Sequence, residues 1–315
     1  MTRGEGSRSQ RRILPYAAVA IAAVSWGTWG VVLRRIEAIA PLPSALETMI
    51  VMAVITLATG LAVAGERVCS RRKGSVVPSR PPLRRASWTA RAWVAWLGVG
   101  DALNVVLFFA AYKRTIAVAV LTHYLTPLFV AVTAPLVLRE RLTARTATAV
   151  VISLLGLGLM LVPAEAGAPS AAVWASAAFG AGSAVFYASN IIVNKYVASA
   201  FSTNETMFWH GVVATPLLAA FVPRAAWGAA NGHAVALLAA VAIGPGALGG
   251  IAFVWGLRRM PAAHASTLTL LEPLVSVALG AAVLGERLGI GALIGGAAIL
   301  AGAAIVLVQP AGSVR

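Results

Sequence analysis

Charged residues and cysteine are scarce in this chain. Only 11% of the residues are charged, 59% are apolar, and the mean hydropathy is +0.85. This balance excludes an ordinary soluble domain. The single cysteine, Cys69, excludes a disulfide framework and a cysteine metal cluster. Asp101 is the only aspartate among 10 acidic residues, which face 25 basic ones.

Sequence motifs of common enzymes are also missing. The histidines at 123, 210, 233 and 264 do not have the spacing of a His-Glu-x-x-His zinc site. There is no Gly-x-Ser-x-Gly nucleophile motif and no Gly-x-x-x-x-Gly-Lys phosphate loop. We therefore expect no metal, no cofactor and no enzymatic activity, and a membrane enzyme is the weakest alternative.

Long apolar runs, by contrast, fill the chain. Ten runs are suited to cross about 30 Å of hydrocarbon as helices. They are residues 13–33, 48–65, 92–112, 115–138, 146–162, 171–194, 206–223, 234–257, 261–285 and 288–308. The first run has no small-residue cleavage site before Arg34, which favours a retained helix over a signal peptide. The predicted fold class is an all-α integral membrane protein with ten transmembrane helices.

The positions of the basic residues predict the orientation. With the N-terminus inside, 19 of the 25 Lys and Arg residues fall on the cytoplasmic side and six on the outer side. We therefore expect a multi-pass protein of the cell (plasma) membrane with both termini in the cytoplasm. The pI near 11.5 follows from this topology, so we expect no nucleic acid partner. Residues 66–91 are predicted to form a flexible basic loop that attracts anionic lipids.

The chain also repeats itself after 146 residues. Pro127-Leu128 and the Val-Leu-x-Glu-Arg-Leu motif at 137–142 both return, and nine of the 24 positions in 119–142 are identical in the second copy. Because five helices per half is an odd number, the second half must be inverted in the membrane. The predicted segments are a tail at 1–12, a first repeat at 13–163, a linker at 164–170, a second repeat at 171–309 and a tail at 310–315.

A second pair of motifs supports the duplication. Ser-x-x-Glu-Thr-Met at 44–49 recurs at 202–207. Ser-x-x-Glu before an apolar run is a capping box, in which two side chains satisfy free backbone N–H groups at a helix start. We interpret this pair as architecture, with a gating role as the alternative. The repeated Glu-Arg-Leu is interpreted as a tight polar reversal between helices.

Three ionisable residues fall near the middle of predicted helices: Asp101, His123 and Glu272. A charged group at that depth costs about 2.5 to 3.5 kcal/mol on insertion scales and is rarely retained without a function. A role in a water-filled cavity and a satisfied structural role are both open for each residue. Glu272 is the leading candidate for protonation, with Asp101 or His123 as a relay.

Pro127 and Pro273 lie at equivalent places in two predicted helices. Each proline removes the N–H that would bond the carbonyl four residues earlier, at His123 and Thr269. Such carbonyls must be buried in protein or face water, so the two helix breaks point to a binding site. A packing kink is the alternative.

Polar and aromatic residues at helical spacing complete the predicted pathway for a solute and protons. Beyond the three ionisable groups, they are Asn104, Thr126, Thr269, Tyr187, Asn190, Trp26 and Trp29. The tryptophans are candidates to stack on a planar ligand, or else to pack or lie in the interfacial belt. Gly291-x-x-x-Gly295 favours close helix packing, within the chain or in a homodimer.

Together these motifs resemble the EamA repeat of the drug/metabolite transporter superfamily in its ten-helix form. The resemblance spans nearly the whole chain and is carried by Trp26-Gly27, by Pro127-Leu128 through Glu140-Arg141-Leu142, and by Leu271-Glu272-Pro273-Leu274 through Leu284-Gly285-Glu286-Arg287-Leu288. It implies a five-plus-five inverted repeat and export of amino acids, metabolites or drugs. Many relatives have an arginine early in helix two, where this chain has Glu47, so the role of that arginine is not carried over.

The sequence therefore predicts a secondary-active transporter. We expect export of a small amphipathic organic solute by alternating access, with proton coupling as an option. A non-transporting membrane sensor or scaffold and an importer of a small metabolite are the alternatives.

Overall fold

The computed structural model describes residues 3–39, 42–72, 86–161, 170–229, 232–285 and 288–308. Within these residues the chain is helical, without a strand. The α-helices are α1 (Arg3–Gly27), α2 (Trp29–Ile39), α3 (Ser44–Arg72), α4 (Trp88–Tyr112), α5 (Ile116–His123), α6 (Thr126–Val137), α7 (Ala144–Leu161), α8 (Ser170–Tyr196), α9 (Thr203–Ala220), α10 (Gly232–Val241), α11 (Gly249–Leu257), α12 (Ala262–Leu268), α13 (Leu271–Leu284) and α14 (Ile290–Val308). A π-helical segment, Ala242–Leu248, joins α10 to α11.

Among the described residues, nine helical segments are long and apolar enough to cross a membrane. Four of them are composite, formed by α1 with α2, α5 with α6, α10 with α11, and α12 with α13. The seventh predicted span corresponds to α9, which is not among the nine because Asn204, Glu205 and His210 lower its hydropathy. The all-α membrane architecture is thus present, and the count of ten stays a prediction.

Several helix boundaries differ from the predicted ones. Helix α1 already begins at Arg3, within the segment predicted as a tail at 1–12. The predicted basic loop is helical at both ends, since α3 continues to Arg72 and α4 begins at Trp88. A tertiary contact supports the longer α3, because Glu66 accepts a 2.6 Å hydrogen bond from Asn204 Nδ2. The predicted linker at 164–170 lies outside the described residues except for Ser170, which begins α8, and so do the C-terminal tail and the second Glu-Arg, at 286–287.

The capping box is formed in the second copy of its motif. Ser202 Oγ accepts from the Glu205 N–H at 3.1 Å, and the Glu205 carboxylate accepts from the Ser202 N–H at 3.0 Å. In the first copy, α3 begins at Ser44 itself, so Ser44 lies inside the helix. The predicted capping box is therefore confirmed for α9.

Contacts between helix termini define two ends of the molecule. At one end, Lys195 in the last turn of α8 meets Glu140, which follows α6, and Met260, which precedes α12. We call this the Lys195 end. The opposite end contains the turn from α4 to α5 at Lys113, and we call it the Lys113 end.

Helices α7 and α14 cross at small residues. A Cβ on Gly156 would lie 2.6 Å from the carbonyl oxygen of Gly295, and a Cβ on Gly302 would lie 2.8 Å from that of Ala149. Adding 146 converts Gly156 to Gly302 and Ala149 to Gly295, so the two contacts are the same contact with the helices exchanged. Reciprocal contacts of this kind are typical of a two-fold relation. Gly295 of the predicted packing motif is therefore used within the chain.

Candidate functional site

Two membrane-spanning segments are interrupted at positions that correspond in the 146-residue repeat. Helix α5 ends at His123 and α6 begins at Thr126, while α12 ends at Leu268 and α13 begins at Leu271. Pro127 and Pro273 are the second and third residues of the helices that follow, where a missing N–H is tolerated. Each interruption leaves two residues in a turn.

The carbonyl groups released by the prolines have partners inside the protein. The His123 carbonyl accepts a 2.7 Å hydrogen bond from Thr126 Oγ1. The Thr269 carbonyl accepts a 2.9 Å bond from the Glu272 N–H. Protein groups therefore satisfy the carbonyl groups at both interruptions. The interruptions contribute to a site by placing the side chains beside them.

Glu272 lies in the first turn of α13, beside the second interruption. The Tyr124 hydroxyl, in the turn between α5 and α6, lies close to its carboxylate. Tyr187 of α8 lies within electrostatic range of the same carboxylate. Because these partners come from two other spans, the Glu272 side chain points into the protein. It is partly exposed, as is Leu271, whereas residues 261–270 before them are buried.

Asp101 pairs with a residue that the sequence did not single out. His210 Nε2, on α9, lies 3.1 Å from Asp101 Oδ2, on α4, and their side chains are 17% and 18% exposed. A protonated imidazole compensates the carboxylate and lowers the cost of holding it at this depth. The only sequence signal for His210 is a polar residue within an apolar helix.

His123 is positioned by hydrogen bonds and by a stacked ring. Its Nδ1 lies 2.8 Å from Ser183 Oγ, and that hydroxyl donates to Asn104 Oδ1 at 2.7 Å. Since the Ser183 proton is used on Asn104, Nδ1 of His123 carries the hydrogen that Ser183 accepts. The imidazole stacks on Tyr187, with ring centroids 5.4 Å apart and planes inclined by 4°.

The remaining predicted residues make other contacts. Thr126 and Thr269 are fully buried and donate to backbone carbonyl groups of their own segments. The Trp26 indole N–H donates to the Pro245 carbonyl at 2.9 Å, in the π-helical segment. Trp29 packs against a buried cluster formed mainly by α2, α3 and α10. These four residues support the helices around the site.

Asn190 lies on α8 beside a glycine of α4. A Cβ on Gly100 would lie 2.6 Å from Asn190 Oδ1, so only glycine leaves room for this amide. Asn190 is 7% exposed. Its place against Gly100, one residue before Asp101, puts it next to the residues described above.

Eight residues from α4, α5, α8, α9, α13 and the α5–α6 turn are therefore linked by direct contacts or electrostatic range. We call them the central cluster: Asp101, Asn104, His123, Tyr124, Ser183, Tyr187, His210 and Glu272. Five of them, Asp101, Asn104, His123, Tyr187 and Glu272, were predicted as part of the pathway. In the described part of the chain, every Lys and Arg lies near the end of a candidate span or outside the spans.

Comparison with known proteins decides the family. The model of the EamA-like transporter family matches residues 13–162 and 174–308. The chain belongs to the EamA-like transporter family, within the drug/metabolite transporter superfamily. It is thus a membrane transporter by family, which points away from an enzyme.

Individual relatives agree with this family assignment. A protein of Archaeoglobus fulgidus described as an uncharacterized transporter is 30% identical over 213 residues, which cover 66% of this chain and 74% of the relative. One crystal structure matches with a TM-score of 0.72 at 19% identity, covering 94% of this chain and 98% of the other. At that identity the likeness shows the fold alone.

At the Lys195 end of this EamA-family transporter, a carboxylate bridges three elements. Glu140 accepts from Lys195 Nζ with one oxygen and, at 2.7 Å, from the Ala262 N–H at the start of α12 with the other. Lys195 also donates to the Met260 carbonyl. Both charged side chains are 13% exposed. We call this arrangement the Glu140 bridge, and it goes beyond the helix reversal that the sequence indicated.

A second polar link closes the same end. His264 of α12 lies with Nδ1 2.9 Å from the Tyr16 hydroxyl of α1 and with Nε2 3.0 Å from Thr146 Oγ1 of α7. His264 is 4% exposed. Both ring nitrogens are therefore committed, which indicates a structural histidine. Together with the Glu140 bridge, this link ties α12 to elements of both halves of the chain.

Proposed function

We propose that this EamA-family transporter is a secondary-active exporter of a small amphipathic organic solute, which binds at the central cluster and exchanges for protons taken up by Glu272. The observation that carries this proposal is the position of the Glu272 carboxyl group. It lies at a helix interruption, points into the protein, and faces Tyr124 and Tyr187.

The contact with Tyr124 suits a group that changes its protonation state. A tyrosine hydroxyl donates to a carboxylate, and its oxygen accepts from a protonated carboxyl group. A tyrosine beside this carboxyl group is therefore able to hydrogen-bond to it in both states, so proton uptake at Glu272 requires no loss of partner. Exchange of a proton against a solute at one carboxyl group is then a sequence of mutually exclusive binding events.

Alternating access is supported by the reciprocal contacts of α7 and α14. We infer from them that the two halves are inverted repeats related by a two-fold axis in the membrane plane. The distribution of basic residues, 19 against six, favours the Lys195 end as the cytoplasmic one. The closed Lys195 end then corresponds to an outward-facing state, and opening to the cytoplasm requires the Glu140 bridge to break.

The experiment begins with the extracellular metabolites of cells that produce the wild type, Glu272→Gln, Glu66→Gln or no transporter, at matched membrane abundance. Glu66 is an exposed carboxylate at the Lys195 end and serves as the control. We expect one or more solutes to be enriched outside with the wild type and with Glu66→Gln, and not with Glu272→Gln.

The solute found in this way is then loaded into proteoliposomes under an imposed pH gradient. We expect the wild type to respond to the gradient and Glu272→Gln to be insensitive to it. Transport by Glu272→Gln at the wild-type rate, with an unchanged pH profile, would exclude Glu272 as the coupling group. Absence of solute flux with every protein would exclude the exporter itself.

A further inference from the structure

We propose that the connection between α6 and α7 binds the headgroup of an anionic phospholipid. We call this connection, residues 138–143, the α6–α7 turn. It contains Glu140 of the Glu140 bridge and lies at the Lys195 end. The site is separate from the central cluster and from the basic segment at 66–91, so it does not depend on the solute or on the proposed export.

Arg139 of this turn has a backbone conformation that favours glycine. Its φ is 58°, in the left-handed region, where a Cβ atom is unfavourable. The position 146 residues later is Gly285, with a φ of 72°, so α6 and α13 are each followed by a left-handed residue. The second copy uses the residue that suits this conformation, whereas the first copy carries an arginine at a cost to the fold. The Arg139 side chain is therefore expected to have a role that offsets this cost.

That role is not a polar contact with the described part of the protein. Arg139, Arg141 and Arg145 are exposed, and their side chains take part in none of the ion pairs or side-chain hydrogen bonds of the described residues. In the second repeat, two of the three corresponding positions are glycine. The positive-inside rule explains an excess of basic residues at this end, but it does not require one at a left-handed position. Three guanidinium groups within seven residues are suited to an anion, above all to a phosphate.

A small pocket lies beside the turn. It offers about 230 Å³, part of it open to the surroundings, which is less than the about 300 to 1,000 Å³ of sites that hold whole small molecules. Its size therefore suits a headgroup. Arg141, Thr146 and Glu140 form its polar wall. The charge of Glu140 is compensated, because its two oxygens accept from Lys195 Nζ and from the Ala262 N–H.

The rest of the pocket favours a lipid over a soluble phosphate. Ala131, Ala134 and Pro135 line it from one face of α6. The span that contains α6 ends at Val137, so the pocket lies where phospholipid headgroups meet the hydrocarbon. Leu136, next to Pro135, is 77% exposed. An anionic phospholipid is able to place its phosphate beside the arginines and its acyl chains along α6, whereas a soluble phosphate uses the arginines alone.

The test is native mass spectrometry of the purified full-length protein, titrated in detergent with dioleoylphosphatidylglycerol, dioleoylphosphatidylcholine or sn-glycerol 3-phosphate. We expect the first molecule of phosphatidylglycerol to bind the wild type at least about tenfold more tightly than phosphatidylcholine, and glycerol 3-phosphate to bind least. Equal binding of the two lipids would overturn the site. Glycerol 3-phosphate that binds as tightly as phosphatidylglycerol would overturn the lipid as its occupant.

Variants at position 139 separate binding from folding. Arg139→Gly removes the charge and suits the left-handed backbone, so it should weaken binding of phosphatidylglycerol about fivefold and raise the apparent Tm in lipid-free detergent. Arg139→Lys keeps the charge and should retain most of the binding. Because Arg139→Gly is expected to be the more stable protein, its weaker binding cannot arise from loss of folded protein. Unchanged binding or a lower Tm in Arg139→Gly would overturn the role of Arg139.

A second pair of variants tests the pocket against a diffuse attraction. Arg141→Gln removes a charge from the pocket and should also weaken binding about fivefold. Arg114→Gln is the matched control, because Arg114 follows a membrane span at the Lys113 end and lies over the Phe179 ring, 4.6 Å from its centroid. It should leave the affinity for phosphatidylglycerol within about twofold of the wild type. Equal weakening by Arg114→Gln and Arg141→Gln would show attraction to the basic protein as a whole and would overturn the site.

Discussion

Helices α12 and α5 occupy corresponding places in the two halves of the sequence, yet they are packed differently. Every residue of α12 is buried, whereas in α5 only Ala117 and Ala119 are. The first N–H of α12 is bonded by the Glu140 carboxylate, while Thr115 at the start of α5 makes no side-chain cap bond. Duplication of the sequence therefore does not require equal packing of the two ends.

The composition of the two helices explains part of this difference. Helix α12 is built largely from alanine and hydroxyl residues, which allow close approach of neighbouring helices, whereas α5 carries isoleucine, valine and leucine. The polar links of Glu140 and His264 add to the effect at the Lys195 end. A transporter that opens one end at a time is expected to show such an asymmetry in any single state.

The largest effect is expected from breaking the Glu140 bridge. Lys195→Met leaves the Glu140 carboxylate buried without its cation, a change that costs about 3 to 5 kcal/mol for buried pairs. Without this ion pair, the packed arrangement of the Lys195 end should lose most of its free-energy advantage over an open arrangement. Helix α12 should then become accessible to water. The measurement is labelling of Thr267→Cys by a water-soluble thiol reagent, in a background in which the exposed Cys69 is replaced by serine.

Two controls belong to this prediction. Lys195→Arg keeps the charge and should keep α12 protected. Arg67→Met removes the exposed 3.8 Å pair with Glu205 at the same end, which is worth about 0 to 1 kcal/mol. Equal labelling rates in Lys195→Met and Arg67→Met would show that the Glu140 bridge does not keep this end closed.

A smaller effect is expected where the two halves are packed alike, at the crossing of α7 and α14. A Cβ on Gly156 would meet the backbone of α14, whereas nothing lies within 4 Å of the corresponding position on Gly158. Gly156→Ala should therefore destabilise the protein by about 1 to 3 kcal/mol, and the matched control Gly158→Ala should be neutral or slightly stabilising.

The measurement is the apparent Tm of the two variants, monitored by size-exclusion chromatography after heating. Because both halves contribute equally to this crossing, neither variant should change how accessible the Lys195 end is to water. Labelling of Thr267→Cys measures that accessibility. Similar Tm values for Gly156→Ala and Gly158→Ala would contradict the close contact.

The comparison of α5 with α12 is itself testable by a matched pair of cysteines. Leu121 and Thr267 are 146 residues apart, and Leu121 is partly exposed while Thr267 is 1% exposed. In the background without Cys69, Leu121→Cys should react with a water-soluble thiol reagent at least about tenfold faster than Thr267→Cys, which corresponds to about 1.4 kcal/mol of local opening. Equal rates would mean that the two ends are equally open.

Much of the architecture could be predicted because its signals are local. Long apolar runs predicted the membrane helices, and the duplicated Pro-Leu and Glu-Arg-Leu motifs predicted the two halves. The seventh run was the weakest of these signals, since Glu205 and His210 make α9 more polar than the nine spans that are apolar enough to cross a membrane. Boundaries such as Arg3 and Arg72 were missed because a helix continues beyond its apolar part.

The site could be predicted only in part. Asp101, His123 and Glu272 were selected by their positions near the middle of apolar runs, because an ionisable residue in such a run can be recognised without a structure. The partners of these residues could not be found in this way. Asp101 and His210 are 109 positions apart, and His123 and Ser183 are 60 apart.

The sequence by itself determined that this is a duplicated helical membrane protein with carboxylates and prolines at mid-depth, because hydropathy, charge and proline act on each segment separately. The tertiary structure brings Asp101 next to His210, uses both ring nitrogens of His264 in hydrogen bonds, and buries α12 more completely than α5. Those properties depend on the helix faces that meet, and these are set by the packing of all the spans together.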